Sequence, residues 1–237
     1  MGLNERTELL FGSDGMEAIE SLQVMIVGIG GVGSNCALSL ARSGVGKLIL
    51  VDYDIVSASN ANRQAIAFRS TIGRKKTEVA QELIADINPA AEVVAIDRKI
   101  LPEDVDWLLG QAGKPDWIID CSDTITTKVA LAKSAEELGI GYVAGMGSGN
   151  KFDPLEMEFS DIYDTRICPV CKAVRKAARK EGLQRMQVLY SPEEPIGMTA
   201  EDDFARRERR NVGTVAYYPA IMGHLLASYV LRKATGR

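Results

Sequence analysis

Gly28-Ile29-Gly30-Gly31-Val32-Gly33-Ser34 fits the pattern G-x-G-x-x-G. Glycines at that spacing allow a tight turn and a close backbone approach to phosphate oxygens, and a following helix N-terminus favours negative charge. Asp52 lies about 20 residues further on, where a carboxylate can accept the hydroxyl protons of a ribose, and Asp54 follows it. Asn60 and Arg63 are three residues apart, so on a helical turn both side chains point to one side. Gly73-Arg74-Lys75-Lys76 places cations at the start of a helix, against its dipole, as if to serve a polyphosphate. Asp120-Cys121-Ser122-Asp123 closes an apolar run with carboxylates suited to Mg²⁺. Guanidinium, ammonium and metal-binding carboxylate together suit an attack on a phosphate, where charge must be offset. Hydride transfer, which the same glycine loop could serve, has little use for them.

These residues need a scaffold, and the hydrophobic pattern supplies one. Gln23–Ile29 is a β-branched run ending in glycines, the signature of a buried parallel strand. After the glycine turn comes a helix that ends at Gly44 and Gly46. KLILVDYD reads as a second strand, and KKTEVAQELIADI as a helix with Val79, Leu83, Ile84 and Ile87 on one face. AEVVAI, a helix near Glu103–Leu109, DWIIDC, a helix over Thr126–Leu138 and GYVAGM continue the alternation. It predicts an α/β fold, a doubly wound Rossmann-like and mostly parallel sheet with helices on both faces. Past Gly149 the rhythm changes. We expect an exposed strand in KFDPLEMEFSDIYD, a basic helix, and a closing strand plus helix from Val212. The whole of 1–237 then forms one domain, with 5–150 as the nucleotide-binding core and 151–237 as a C-terminal elaboration facing the substrate.

Composition excludes several classes. The 237 residues are 46% apolar and 25% charged with a net charge of −4, which rules out disordered and disulfide-scaffold chains. The N-terminal stretch lacks the apolar region of a signal peptide. Ala220–Leu231, the longest apolar stretch, is too short to span a ~30 Å hydrocarbon layer and reads as a core helix. Cys36, Cys121, Cys168 and Cys171 then suggest reduced thiols and a cytoplasmic protein. Cys36 and Cys121 fall in core elements. Cys168-Pro-Val-Cys171 is a single CxxC with no second pair, so a Cys₄ zinc site within one subunit is not expected. His224 lies in the apolar C-terminal helix and reads as structural. Seven basic residues against one acid between Arg166 and Met186, among them Arg175, Lys176, Arg179 and Lys180, form a cluster on an acidic chain. Arg206 and Arg207 belong to a second. Together they suggest a surface that tracks nucleic-acid phosphates.

The combination GIGGVGS, VDxDxVxxSNxxRQ, the lysine at the next helix start and DCSD resembles the adenylating superfamily of ubiquitin-activating-type enzymes over residues 5–150. The resemblance implies a ligase-class enzyme using ATP and Mg²⁺. Asp52 corresponds to the ribose-binding acid, Asn60, Arg63 and Lys76 to the phosphate-contacting set, and Asp123 to the Mg²⁺-linked aspartate. Arg6 occupies the place of an arginine that reaches into a partner subunit's ATP site, which implies a homodimer. The segments TRICPVCKAVRKAARKEGL, VLYSPEEP and VGTVAYYPAIMGHLLASYVL resemble the branch that cyclises N6-threonylcarbamoyladenosine in tRNA. For that branch the threonine carboxylate attacks the α-phosphorus of ATP, and a urea nitrogen then closes on the acyl-adenylate to form a five-membered ring. Two alternatives stay open. One is adenylation of the C-terminal glycine of a ubiquitin-like sulfur carrier, the other a nicotinamide or flavin protein using its CxxC as a dithiol. A thiol role would also admit a sulfur-relay partner such as a cysteine desulfurase.

Overall fold

In the computed structural model, which describes residues 2–196 and 212–237, the alternation forms a single seven-stranded sheet. The strands are β1 (Gln23–Val27), β2 (Lys47–Val51), β3 (Glu92–Ile96), β4 (Trp117–Asp120), β5 (Gly141–Gly145), β6 (Glu158–Asp161) and β7 (Gln187–Tyr190). Their order is β3-β2-β1-β4-β5-β7-β6, parallel throughout except for β6, which runs antiparallel to β7. The strand order reverses between β1 and β4, the place where open α/β sheets leave a crevice at their carboxyl ends.

The helices are α1 (Glu5–Ser21), α2 (Gly31–Arg42), α3 (Lys76–Ile87), α4 (Val105–Ala112), α5 (Ile125–Leu138), α6 (Pro169–Lys180) and α7 (Tyr217–Ala234). Strand side chains alternate between the two sheet faces, and the core divides accordingly. Val24, Ile26, Leu48, Leu50 and Val143 pack under α1, α2, α3 and α7. Met25, Val27, Ile49 and Ile118 pack under α4 and α5, while Ala144, Val188 and Tyr190 meet α6. A strand covered on both faces must be apolar at nearly every position, which is why β1 and β2 read as continuous β-branched runs.

Ala220–Leu231 falls inside α7, whose Met222, Leu226 and Val230 are fully buried. Its Gly223 permits the contact with α2, since a Cβ there would stand 2.4 Å from the Val32 carbonyl oxygen. No helix among the described residues is long and apolar enough to cross a membrane.

Several expectations need correction. Val212–Ala216 form no strand, and the C-terminal strand is β7, in QVLY. Its four residues are too short for periodicity to mark, and they are defined by pairing with β5 and β6. KFDPLEMEFSDIYD yields only β6, after a 3₁₀ turn at Pro154–Glu156. ERTELLFGSDGMEAIES forms α1, two helical segments meeting at a kink at Gly12 (φ +77°), which the apolar pattern does not mark because only Met16 and Ile19 are buried. His224 needs no such correction: it is exposed, with Nδ1 3.3 Å from Ser39 Oγ, a structural link between α7 and α2.

Candidate active site

A cavity of about 350 Å³ opens at the carboxyl ends of β1, β2 and β4. The glycine turn makes its floor. Gly28 has φ +90°, and a Cβ there would lie 2.9 Å from the Cys121 carbonyl oxygen. A Cβ on Gly33 would lie 1.8 Å from the Gly28 carbonyl oxygen, so α2 can start this close to β1 only with glycine. Gly28, Gly30 and Gly31 line the cavity, whereas Gly33 and Ser34 stand behind it. Ser34 is fully buried: its hydroxyl donates to the Gly30 carbonyl at 2.6 Å and accepts from the Ala65 N–H at 3.0 Å. Its position corrects the expectation that Ser34 contacts the nucleotide; it fastens the glycine turn to the loop carrying Arg63.

Asp52 follows β2 directly, with Oδ2 accepting from the Ile29 N–H at 2.6 Å and Oδ1 from the Asp54 N–H at 2.8 Å. Each carboxylate oxygen keeps a further acceptor site. Lys76, the first residue of α3, is buried with its ammonium 2.9 Å from Asp54 and 3.8 Å from Asp52. Those carboxylates offset an unfavourable position at the helix N-terminus. The neighbouring cations behave differently from expectation. Arg74 pairs with Glu82, and Lys75 with Asp97 at 2.8 Å, on the surface outside the cavity.

Asn60 and Arg63 both line the cavity, as their spacing suggested. Asn60 Oδ1 accepts from the Ser57 N–H at 3.1 Å, fixing a 3₁₀ turn over Ala58–Asn60. Arg63 Nη1 is aimed by the Ser59 carbonyl at 2.9 Å and Asn62 Oδ1 at 2.8 Å.

The two aspartates after β4 separate in role. Asp120 is fully buried and accepts from Lys128 at 3.0 Å, Ser122 Oγ at 2.7 Å and Tyr142 at 3.0 Å. Burial and that carboxylate hold the Tyr142 phenol well above its ordinary range. Asp123 instead lines the cavity. Burial pushes the Cys121 thiol up to about 12 and raises Cys36 as well, so neither has thiolate character, although Cys121 lines the cavity.

Gln64, Arg98 and Lys99 also line the cavity and did not emerge as site residues from the sequence. Gln64 ends the SNxxRQ motif, and Arg98 and Lys99 follow β3, so a search of strand ends would have found them. Gln64 Oε1 is buried without a hydrogen-bond partner among the described residues. A buried unpaired acceptor costs about 1–3 kcal/mol, which fits a chamber built to be filled by a polar ligand.

A second cavity of about 310 Å³ adjoins the first and shares Arg63 and Asp123 with it. Lys151, Pro169, Val170, Val212 and Thr214 are among its walls. Thr214 Oγ1 is a second buried polar atom without a partner among the described residues. Arg6 is exposed on α1 and lines neither cavity. On α6, Lys176, Arg179 and Lys180 are exposed. Arg175 is half-buried, its Nη1 donating to the carbonyls of Ile162 (3.2 Å) and Thr165 (2.7 Å) and to Thr165 Oγ1 (2.6 Å). It braces the loop before α6 rather than standing on the basic face. Arg206 and Arg207 lie outside the described residues.

A Rossmann-like crevice ringed by glycine turn, ribose-type carboxylate and phosphate-type cations defines a class, and the chain belongs to the ThiF family, matched over residues 4–237. Within it, the chain is 37% identical over 235 residues to the tRNA threonylcarbamoyladenosine dehydratase of Bacillus subtilis, spanning 95% of this chain and 92% of that protein. Its fold is similar to that of the E. coli tRNA N6-threonylcarbamoyladenosine dehydratase, TcdA, solved in complex with ATP. The TM-score is 0.88 at 27% identity, over 98% of this chain and 93% of that one. The chain is also 33% identical to the molybdopterin-synthase adenylyltransferase of E. coli over 135 residues, 57% of this chain and 53% of that protein.

Proposed function

We propose that this chain is an ATP-dependent tRNA threonylcarbamoyladenosine dehydratase of the cytoplasm, a ligase-class enzyme that adenylates the threonine carboxylate and then closes the ring. The observation that carries the reading is the pair of adjoining cavities sharing Arg63 and Asp123. One takes the nucleotide, the other the acceptor, and the reacting atoms meet between them. Similarity to the dehydratases extends over nearly the whole chain, whereas similarity to the sulfur-carrier-type enzyme covers 57% of it.

The glycine turn and Asp52 bind and orient ATP, with backbone N–H groups and the α2 N-terminus facing phosphate. Lys76 and Arg63 offset charge that develops when the carboxylate attacks the α-phosphorus, each supplying about 2–4 kcal/mol. Asn60 holds the turn that presents Arg63. Mg²⁺ fits a hard-oxygen donor, Asp123, since this ion is usually held by one or two carboxylates together with substrate phosphates; when bound it neutralises pyrophosphate as it leaves. A urea nitrogen then closes on the acyl-adenylate, expelling AMP. Ring closure is intramolecular, so proximity supplies much of the rate and no covalent enzyme intermediate is needed. Residues 5–150 carry the ATP chemistry and 151–237 face the tRNA, with Lys176, Arg179 and Lys180 tracking its backbone.

Arg6 completes the ATP site of a second copy in a homodimer. It is exposed on α1 and absent from both cavities of its own chain. Mixing inactive Arg6→Ala and Lys76→Ala subunits should restore activity, because one of the two sites is then intact; no recovery in mixed dimers would exclude the shared site. The reaction itself is tested by ATP–pyrophosphate exchange with and without tRNA retaining threonylcarbamoyladenosine. The expected result is tRNA-dependent AMP release and a nucleoside lighter by one water. Turnover that ignores tRNA and responds to a small carrier protein would overturn the reading.

A further inference from the structure

One thiol in the wall of the second cavity, Cys168, and a second buried behind that wall, Cys171, are not used by the reaction above. Cys168 immediately precedes α6 and Cys171 lies in its first turn. Both are buried, and neither is in a disulfide. Positions three apart in a regular helix have Cα atoms about 5 Å apart, within the ~4.4–6.8 Å that a disulfide spans.

Three features single out Cys168. Its N–H donates to the Arg166 carbonyl at 2.6 Å, closing a three-residue turn on Ile167, whose φ is +63°. A β-branched residue in that conformation is strained, and such turns are rare, so the surrounding structure holds the thiol against local preference. Val170, between the cysteines, sits close against the loop after β5, 2.7 Å from where a Cβ on Gly147 would stand. Lys151 lines the same cavity as Cys168, is buried, and donates to the Ser191 carbonyl at 2.7 Å.

The Cys171 hydrogen bond, helped by the Lys151 charge, holds the Cys168 thiol below the ordinary range despite burial, while Cys171 is pushed up. Cys36 and Cys121 are pushed up by burial. Of the four cysteines, Cys168 is therefore the one with thiolate character, and it faces a cavity.

We propose that Cys168 and Cys171 form a reversible dithiol–disulfide couple that is oxidised by peroxide-class oxidants and sets whether the second cavity accepts its substrate. The Cys168 thiolate attacks a peroxide oxygen, the O–O bond breaks, and the departing hydroxide takes a proton to become water, leaving a sulfenic acid. The Cys171 sulfur then attacks the Cys168 sulfur, the S–O bond breaks, and the second hydroxide leaves as water with the Cys171 proton. In sum, two thiols and one hydrogen peroxide give one disulfide and two waters, and a dithiol such as dithiothreitol reverses the oxidation. Control of the acceptor step rests on the proposed dehydratase reading; the disulfide chemistry does not.

The test treats the reduced full-length protein with hydrogen peroxide and digests it with trypsin without reductant. The expected product is the peptide Ile167–Lys172 lighter by two hydrogens, restored by dithiothreitol, with Cys36 and Cys121 still free. Cys171→Ser should stop at a sulfenic acid on Cys168, trapped by dimedone, and Lys151→Met should slow the oxidation about tenfold while Lys151→Arg retains it. The oxidised protein should bind ATP as before but turn over tRNA at least about tenfold more slowly, recovering with dithiothreitol. A disulfide involving Cys36 or Cys121, no loss of hydrogens at this peptide, or unchanged tRNA turnover after the disulfide forms would each overturn the proposal. A reduced protein inactive on tRNA would instead overturn the dehydratase reading, leaving the peptide result to decide the couple.

Discussion

The two cavities share a boundary but are built by opposite means. The nucleotide cavity is assembled from short motifs that follow β1, β2, β3 and β4 in turn, with the glycine turn and Asp52 fixed by backbone hydrogen bonds. The second is assembled, beyond the shared Arg63 and Asp123, from pieces far apart in sequence: Gly147–Lys151, Cys168–Val170, Pro195, Val212 and Thr214. The difference follows from what each must recognise. Phosphates and ribose are met by backbone N–H groups and a few charges, which a strand–turn–helix can present alone. A particular acceptor is met by shape and desolvation, and those need walls from several elements.

The contrast can be broken at its most buried support first. Lys128→Met removes the partner of Asp120 beneath the rim of the nucleotide cavity. It should cost about 3–5 kcal/mol of folding stability, read by denaturant unfolding, with a loss under about 1 kcal/mol contradicting the claim that the pair is structurally required. Next are the phosphate cations. Lys76→Ala should lower kcat by about 10²–10³ in both tRNA turnover and pyrophosphate exchange; a change confined to the KM for ATP would show that Lys76 binds without assisting the attack.

Smaller changes sharpen the division of labour. Lys176→Glu combined with Lys180→Glu should weaken tRNA binding and reduce the slope of log affinity against log salt by about 1 for each phosphate no longer neutralised, with ATP affinity unchanged. An unaltered salt slope would remove α6 from the RNA surface. Thr214→Val, in the second cavity, should raise the KM for tRNA by a few fold, about 1 kcal/mol for one hydrogen bond, leaving ATP binding alone. If ATP binding shifted equally, the two cavities would not be functionally separate.

The sequence disclosed the first cavity far better than the second. Gly28, Gly30, Asp52, Asn60, Arg63 and Lys76 could be located because each is the residue type its local turn or charge demands. Arg74 and Lys75 misled because a cation at a helix start looks alike whether it faces phosphate or pairs across the surface with Glu82 or Asp97. Ser34 belongs to the same motif as the glycines, yet its hydroxyl is committed to Gly30 and Ala65. Beyond residue 150 the reading weakened because β7 gains its identity from pairing with β5 and β6, not from its own four residues. Arg175 looked like one more basic residue until the fold wrapped the Ile162–Thr165 carbonyls around it. Lys151 gave no signal, since its meaning depends on Cys168 being brought beside it.

The central claim is that a carboxylate on tRNA attacks the α-phosphorus of ATP in the space between the two cavities. The most direct test supplies tRNA whose threonylcarbamoyl carboxylate carries heavy oxygen and follows the label through a single turnover. The account predicts labelled AMP and unlabelled pyrophosphate. Label in inorganic phosphate, with ADP as the other product, would place the attack on the γ-phosphorus and contradict it.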